Sequence, residues 1–326
     1  MKITSWLLAL SLLAGATAQS ITIYSGRNEA FIAPMVEAFE DATGISVEVR
    51  FGGTAELAAT ILEEGNNSPA DIFFAQDAGA LGAIAKEGML QVLPDEILEQ
   101  VPSRFRSRDG WWIGLSGRAR VLTYNTDNVN TADLPDSIFA LTEETWRGRV
   151  GWAPENGSFQ SFVTAMRIIE GEDVTRAWLR DMLANDVKEY RNNTSMVEAV
   201  GRGEIDISIT NHYYLFRFLA EQGESFPARN HYLSDADIGS LVNIAGVGIL
   251  STSANTEAAL SFVDFMLQPL AQQYFTDAVA EHPMIDGVET NPLLPLLVDL
   301  QTPELDLSDL DDLEGTLELL IEVGAF

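Results

Sequence analysis

Apolar positions along the chain switch between the period of a strand and the period of a helix. Ile21-Thr-Ile-Tyr24 is a short β-branched run and predicts a buried strand. Over residues 29–42, Phe31, Met35, Val36 and Phe39 recur on one helical face, and Gly44 follows as a C-cap. Residues 45–51 alternate and are β-branched, which predicts a second strand. Strand, helix and strand in about thirty residues form a βαβ unit, so the sheet is parallel there. The pattern returns as a strand over 71–75, a helix over 78–86 and a stop at Gly88. It returns again as a strand over 205–210 running directly into a helix over 214–221, which Gly223 ends. The fold class is therefore α/β, and ligands of open α/β sheets sit where strands run out into helix N-termini.

Two extended stretches, 120–125 and 243–250, read as crossings between lobes, and long helices are expected over 256–280. With no internal repeat and no Gly/Ser/Pro linker, the expected division is one lobe of residues 19–120 plus 245–295 and a second of 121–244 plus 296–326. Residues 1–18 read as a signal peptide: Lys2, an apolar run over 6–14, then Ala16-Thr17-Ala18, with cleavage expected after Ala18 and Gln19 as the mature start. That run is too short to span a bilayer, and no other segment holds the eighteen or so apolar residues a membrane helix needs. The expected location is the periplasm.

Composition narrows the function classes. In 326 residues, 46% hydrophobic, each half can bury a core of normal size. The absence of cysteine excludes disulfides, thiolate metal sites, iron–sulfur ligation and an N-terminal lipid-anchored cysteine. Acidic residues outnumber basic ones 49 to 19, for a net charge of −30, and no Lys or Arg follows Arg229. Such a field repels phosphate backbones, so no nucleic-acid partner is expected.

Catalytic motifs are weak. The histidines are His212, His231 and His282, and none stands in an HExxH spacing; no GxSxG elbow occurs, and Gly52-Gly53 lacks the lysine of a phosphate loop. An exported hydrolase would need a nucleophile and base at the cleft, where His212 is the one imidazole. The segment Asn211-His212-Tyr213-Tyr214 stands at the junction between the strand over 205–210 and its helix. Adjacent tyrosines diverge inside a regular element, but at a turn both hydroxyls can enter one cleft. Phenolate is a hard oxygen donor suited to Fe(III). The same residues are also compatible with half-buried aromatics beneath a helix N-terminus.

Four stretches resemble the periplasmic ferric-ion-binding proteins, the soluble components of iron(III) ABC importers: Ile21-Thr-Ile-Tyr-Ser-Gly-Arg-Asn-Glu-Ala30, Pro69-Ala-Asp-Ile-Phe-Phe-Ala-Gln-Asp-Ala78, Leu115-Ser-Gly-Arg-Ala-Arg120 and Asn211-His-Tyr-Tyr214. The resemblance implies a type II periplasmic-binding-protein fold, two α/β lobes joined by hinge strands and closing on a metal, without catalytic turnover. It implies Fe(III) held by Tyr213 and Tyr214 with a synergistic carbonate or phosphate. Arg118, and by similarity Arg27, would lie on the anion side, with Asn211, Gly157 and Ser158 as further anion contacts. The chain departs from some members at three ligand positions, carrying Asn28, Gln76 and Trp152. Gln76 and Asp77 are the nearest candidates for a further ligand. The implied partner is an ABC-transporter permease in the inner membrane, and the protein is expected to be a monomer. The alternative is the same fold binding a small anionic or organic solute without iron.

Overall fold

The computed structural model describes residues 19–325, so the leader segment and its expected cleavage after Ala18 lie outside the described residues. The first βαβ unit forms as its periodicity requires. Strand β1 (Ser20–Ser25) runs parallel to β2 (Ser46–Phe51), and the helix Glu29–Thr43 between them buries Ile32, Met35, Val36 and Phe39. Gly44 ends that helix in the left-handed conformation at φ 72°, where a side chain would be strained. β3 (Ile72–Ala75) pairs parallel with β1 and leads into the helix Ala78–Lys86.

The long strand β4 (Ile113–Asn125) is buried throughout and organises the rest of the sheet. It is followed by β5 (Val150–Trp152), β6 (Lys188–Glu189), β7 (Ile207–Asn211), β8 (Ala228–His231), β9 (Val242–Ile249) and β10 (His282–Pro283). The hydrogen-bonded order is β2-β1-β3-β9-β4-β7-β5-β6, with β8 and β10 also on β4. Partners change along β4. Ile113–Ala119 pairs with β9 and β10, whereas the stretch from Arg120 onward pairs with β7 and β8. One strand therefore serves two strand groups, and the change falls between Ala119 and Arg120.

The helices expected over 256–280 are present as Thr256–Leu267, then Pro269–Tyr274, then a π-helical turn Phe275–Val279 ending at Ala280 with φ 57°. Pro269 is the cause of the first break, since it has no N–H to continue a helix and fits only at its start. The terminal stretch 296–326 does not belong wholly with the second strand group. The backbone oxygens of Ser308 and Leu310 lie against Gly82 and Gly79, where an added Cβ would stand 2.2 and 2.3 Å from them. Trp112 Nε1 donates to Ser308 Oγ at 3.1 Å on the same side. Gln301 accepts from Asp235 N and Ser240 Oγ of the other group, both at 2.8 Å, and from Asp312 onward the chain packs there through the helix Leu313–Val323 and the Thr164–Thr316 hydroxyl contact at 2.7 Å. Among the described residues no helix is long and apolar enough to cross a membrane.

Candidate functional site

Strand β7 ends at Asn211, and the helix Tyr213–Gln222 begins without an intervening loop. His212 already has helical dihedrals, so the chain turns within one residue. This turn brings Tyr213 and Tyr214 together: their rings stack with centroids 4.4 Å apart and planes 28° from parallel. Both line a cavity of about 640 Å³. Tyr213 is buried and Tyr214 half-buried. Burial, followed by the neighbouring Tyr214, pushes the Tyr213 phenol well above its ordinary value. Left alone the Tyr213 phenol holds its proton, and ionising it requires a strong cation.

Positive charge is already present in the same cavity. Arg118 and Arg120 stand two apart on β4, share a face, and are buried. Arg118 Nη2 donates to the carbonyl of Ile244 at 3.0 Å and to that of Gln76, and its Nε has no partner. Arg120 Nη2 donates to the Ser158 carbonyl, its plane lies 5.3 Å from the Phe162 ring centre, and its Nη1 is buried without a partner. Burial lowers Arg120 to about 9, against an upward pull from the Tyr213 and Tyr214 phenols. Each guanidinium is anchored to neutral carbonyls. A buried cation without a counter-charge is costly, and an anion in the cavity removes that cost.

The far wall is the N-terminus of the helix Gly157–Ile169. Asn156 caps it, accepting from Ser158 N at 3.1 Å and Ser158 Oγ at 2.5 Å, and Asn193 Nδ2 braces both groups at 3.2 and 3.3 Å. Gly157, Ser158 and Asn211 all line the cavity. Free N–H groups at such a terminus favour an anion, in line with the guanidiniums opposite.

The structure separates the remaining sequence candidates. Gln76 and Asp77 line the cavity, but the Asp77 carboxylate accepts from Ala80 N at 3.2 Å as the cap of the helix Ala78–Lys86. Arg27 does not line this cavity and is paired with a carboxylate: its guanidinium makes contacts of 2.9 to 3.1 Å with Glu281, and both side chains are buried. Sequence alone could not show this, because the partner lies 254 positions away. Asn28 caps the helix Glu29–Thr43 by accepting from Ala30 N at 2.9 Å. Trp152 faces the core, in edge contact with Phe159 and Trp178 at 5.5 and 6.3 Å. Among the described residues no three His, Cys, Asp or Glu side chains gather to hold a metal. Arg120 is a cavity residue that the sequence reading did not single out. Its signal was the spacing from Arg118, since residues two apart on a strand share a face.

Residues 67–298 match the family described as bacterial extracellular solute-binding protein. The chain is 32% identical over 323 residues to the Fe(3+)-binding periplasmic protein of Serratia marcescens, covering 98% of this chain and 95% of that one. It is similar to iron-bound HitA from Pseudomonas aeruginosa, with TM-score 0.86, 35% identity and coverage of 94% of this chain and 99% of that one. A Trichodesmium protein in complex with iron and citrate ligands gives TM-score 0.83 at 28% identity, with coverage of 94% and 99%. The architecture is thus the type II periplasmic-binding-protein fold. The chain belongs to the bacterial extracellular solute-binding proteins.

Proposed function

We propose that this protein captures Fe(III) for an ABC importer, with Tyr213 and Tyr214 as phenolate ligands and a carbonate or phosphate as synergistic anion. The observation that carries this reading is the placement of two buried, carboxylate-free guanidiniums beside two stacked phenols in one cavity. A ferric ion bound to two phenolates keeps one positive charge, and Arg118 and Arg120 add two more. A dianionic oxyanion offsets most of that excess, so cation and anion bind together. Arg118, Arg120, Asn211 and the Gly157–Ser158 helix terminus form its seat. The anion, water, Gln76 and the remaining oxygen of Asp77 supply the other coordination positions. The ferric relatives and the iron-bound neighbour support the choice of cargo.

In this reading the mature chain starts at Gln19 and works in the periplasm as a monomer. Its lobes, residues 19–120 plus 245–295 and 121–244 plus the terminal helix Leu313–Val323, close about β4 and β9. The closed form is the one presented to the inner-membrane permease. Acid or reduction releases the cargo, since protons compete for phenolate and Fe(II) binds hard oxygen less well. Equilibrium dialysis against ferric citrate with bicarbonate, followed by iron determination, tests the reading. Near-stoichiometric iron is expected for the native chain, with loss in Tyr213→Phe/Tyr214→Phe. Undiminished iron in the double variant overturns it.

A further inference from the structure

His212 immediately precedes the tyrosine pair and is wholly buried. Its ring is nevertheless hydrogen-bonded at both nitrogens. Nδ1 accepts from the Ala119 N–H at 3.1 Å, and Nε2 lies 2.7 Å from the Ala280 carbonyl oxygen. The Ala119 oxygen is also 3.4 Å from Nδ1, so a tautomer protonated at Nδ1 could reach it. That tautomer would set the Nε2 lone pair against the Ala280 oxygen at 2.7 Å, which is repulsive. The geometry therefore requires the proton on Nε2, donated to Ala280. Both nitrogens are committed to backbone, which leaves His212 without a base function toward the cavity.

The three segments tied by this ring are the ones that build the site. Ala119 lies between Arg118 and Arg120, and its carbonyl accepts the His212 N–H at 3.0 Å. Ala280 closes the π-helical turn in a left-handed conformation and precedes Glu281, the partner of Arg27. A left-handed alanine carries backbone strain that a strong contact must hold in place. The His212 carbonyl in turn accepts from Asn230 Nδ2 at 2.8 Å. The ring lies against His282, with centroids 4.5 Å apart and planes tilted by 41°, and meets Tyr213 edge-on at 5.7 Å.

We propose that His212 is a positioning residue: its Nε2–H tautomer, bridging Ala119 and Ala280, fixes the tyrosine pair relative to the Arg118/Arg120 face and to the Ala280–Glu281 turn. The role rests on the ferric reading of the pair, but the bridge itself exists without metal. Ala119 and Ala280 lie on opposite sides of the ring, so loss of the bridge leaves the tyrosine pair tied to the arginine strand through backbone alone and releases it from the Ala280–Glu281 turn. The phenolates would then meet the metal at altered angles.

The test uses the full mature chain. Long-range 15N correlation of the histidine rings, on iron-free protein, should show His212 protonated at Nε2 alone. A ring protonated at Nδ1, or an even tautomer mixture, overturns the proposal whatever the cargo proves to be. After ferric loading, His212→Ala should shift the phenolate-to-iron absorption band and accelerate iron loss to a competing chelator at least tenfold. His212→Gln, which carries a donor at the reach of Nε2, should recover part of both. His212→Asn, which carries an acceptor at the reach of Nδ1, should recover a different part. A folded His212→Ala protein with the native band and native iron loss overturns the proposal, as do Gln and Asn variants that differ from native protein no less than Ala does. If the Ala variant does not fold, the amide variants and the tautomer measurement still decide. A native protein without any ferric band refutes the cargo assignment separately, leaving the tautomer result to judge the bridge.

Discussion

Glu281→Gln should destabilise the protein strongly while leaving the cavity chemistry intact. Glu281 and Arg27 are 1% and 2% exposed at the side chain, and the closest contact between them is 2.9 Å. Ser116 Oγ donates to the same carboxylate. Replacing the charge by an amide keeps the shape and one acceptor but leaves the Arg27 guanidinium buried without a counter-charge. Removing one partner of such a pair costs about 3–5 kcal/mol, and the retained acceptor places this variant near the lower figure. A chain of this size loses about 2 °C of Tm per kcal/mol, so a fall of roughly 6–10 °C is expected in thermal unfolding followed by circular dichroism. The double replacement Arg27→Met/Glu281→Leu removes both charges at similar volume and should be neutral or more stable by about 1–4 kcal/mol. It should also bind iron and anion as the native chain does, because Arg27 contributes nothing to the anion seat. A single variant within about 1 kcal/mol of native, or a double variant as damaged as the single, refutes the reasoning.

Iron uptake should release protons, because burial holds the Tyr213 phenol protonated and the metal must displace that proton. Apparent affinity should fall as pH falls, by about tenfold per displaced proton per pH unit; a pH-independent dialysis isotherm contradicts this. Arg120→Met should abolish the anion response: millimolar phosphate should raise the Tm of iron-free native protein but leave the variant unmoved, on the scale of about 2.7 kcal/mol at a hundredfold excess over Kd. Gly82→Ala places a methyl 2.2 Å from the Ser308 oxygen and should cost about 1–3 kcal/mol. Displacement of Ser308 from Trp112 should also shift the tryptophan emission, and unchanged emission and stability would show that the terminal segment does not pack there.

Much of the fold was legible because local periodicity was unambiguous. The helices expected over 29–42 and 78–86 are present with their glycine stops, and the strand over 205–210 runs straight into its helix. The tyrosine pair was visible because it stands at that junction. What failed was long-range. Arg27 looked free until Glu281 appeared beside it, and no local pattern connects them. The terminal stretch holds no Lys or Arg of its own, and its Asp311 and Asp312 find theirs on opposite sides: Lys86 at 2.9 Å and Arg167 at 2.9 Å. The Gly79-x-x-Gly82 spacing on the helix Ala78–Lys86 was the available sign that another backbone lies against that face. At Asp77 the sequence offered a candidate ligand, and the structure uses one carboxylate oxygen as a helix cap.

The central claim is tested most directly by the visible absorption spectrum of the purified mature protein, before and after adding ferric citrate, with Tyr213→Phe/Tyr214→Phe alongside. The account predicts a broad phenolate-to-iron charge-transfer band in the native protein and its absence in the double variant. No band at saturating iron, or an identical band in the double variant, would contradict the assignment of the tyrosine pair as the ferric ligands.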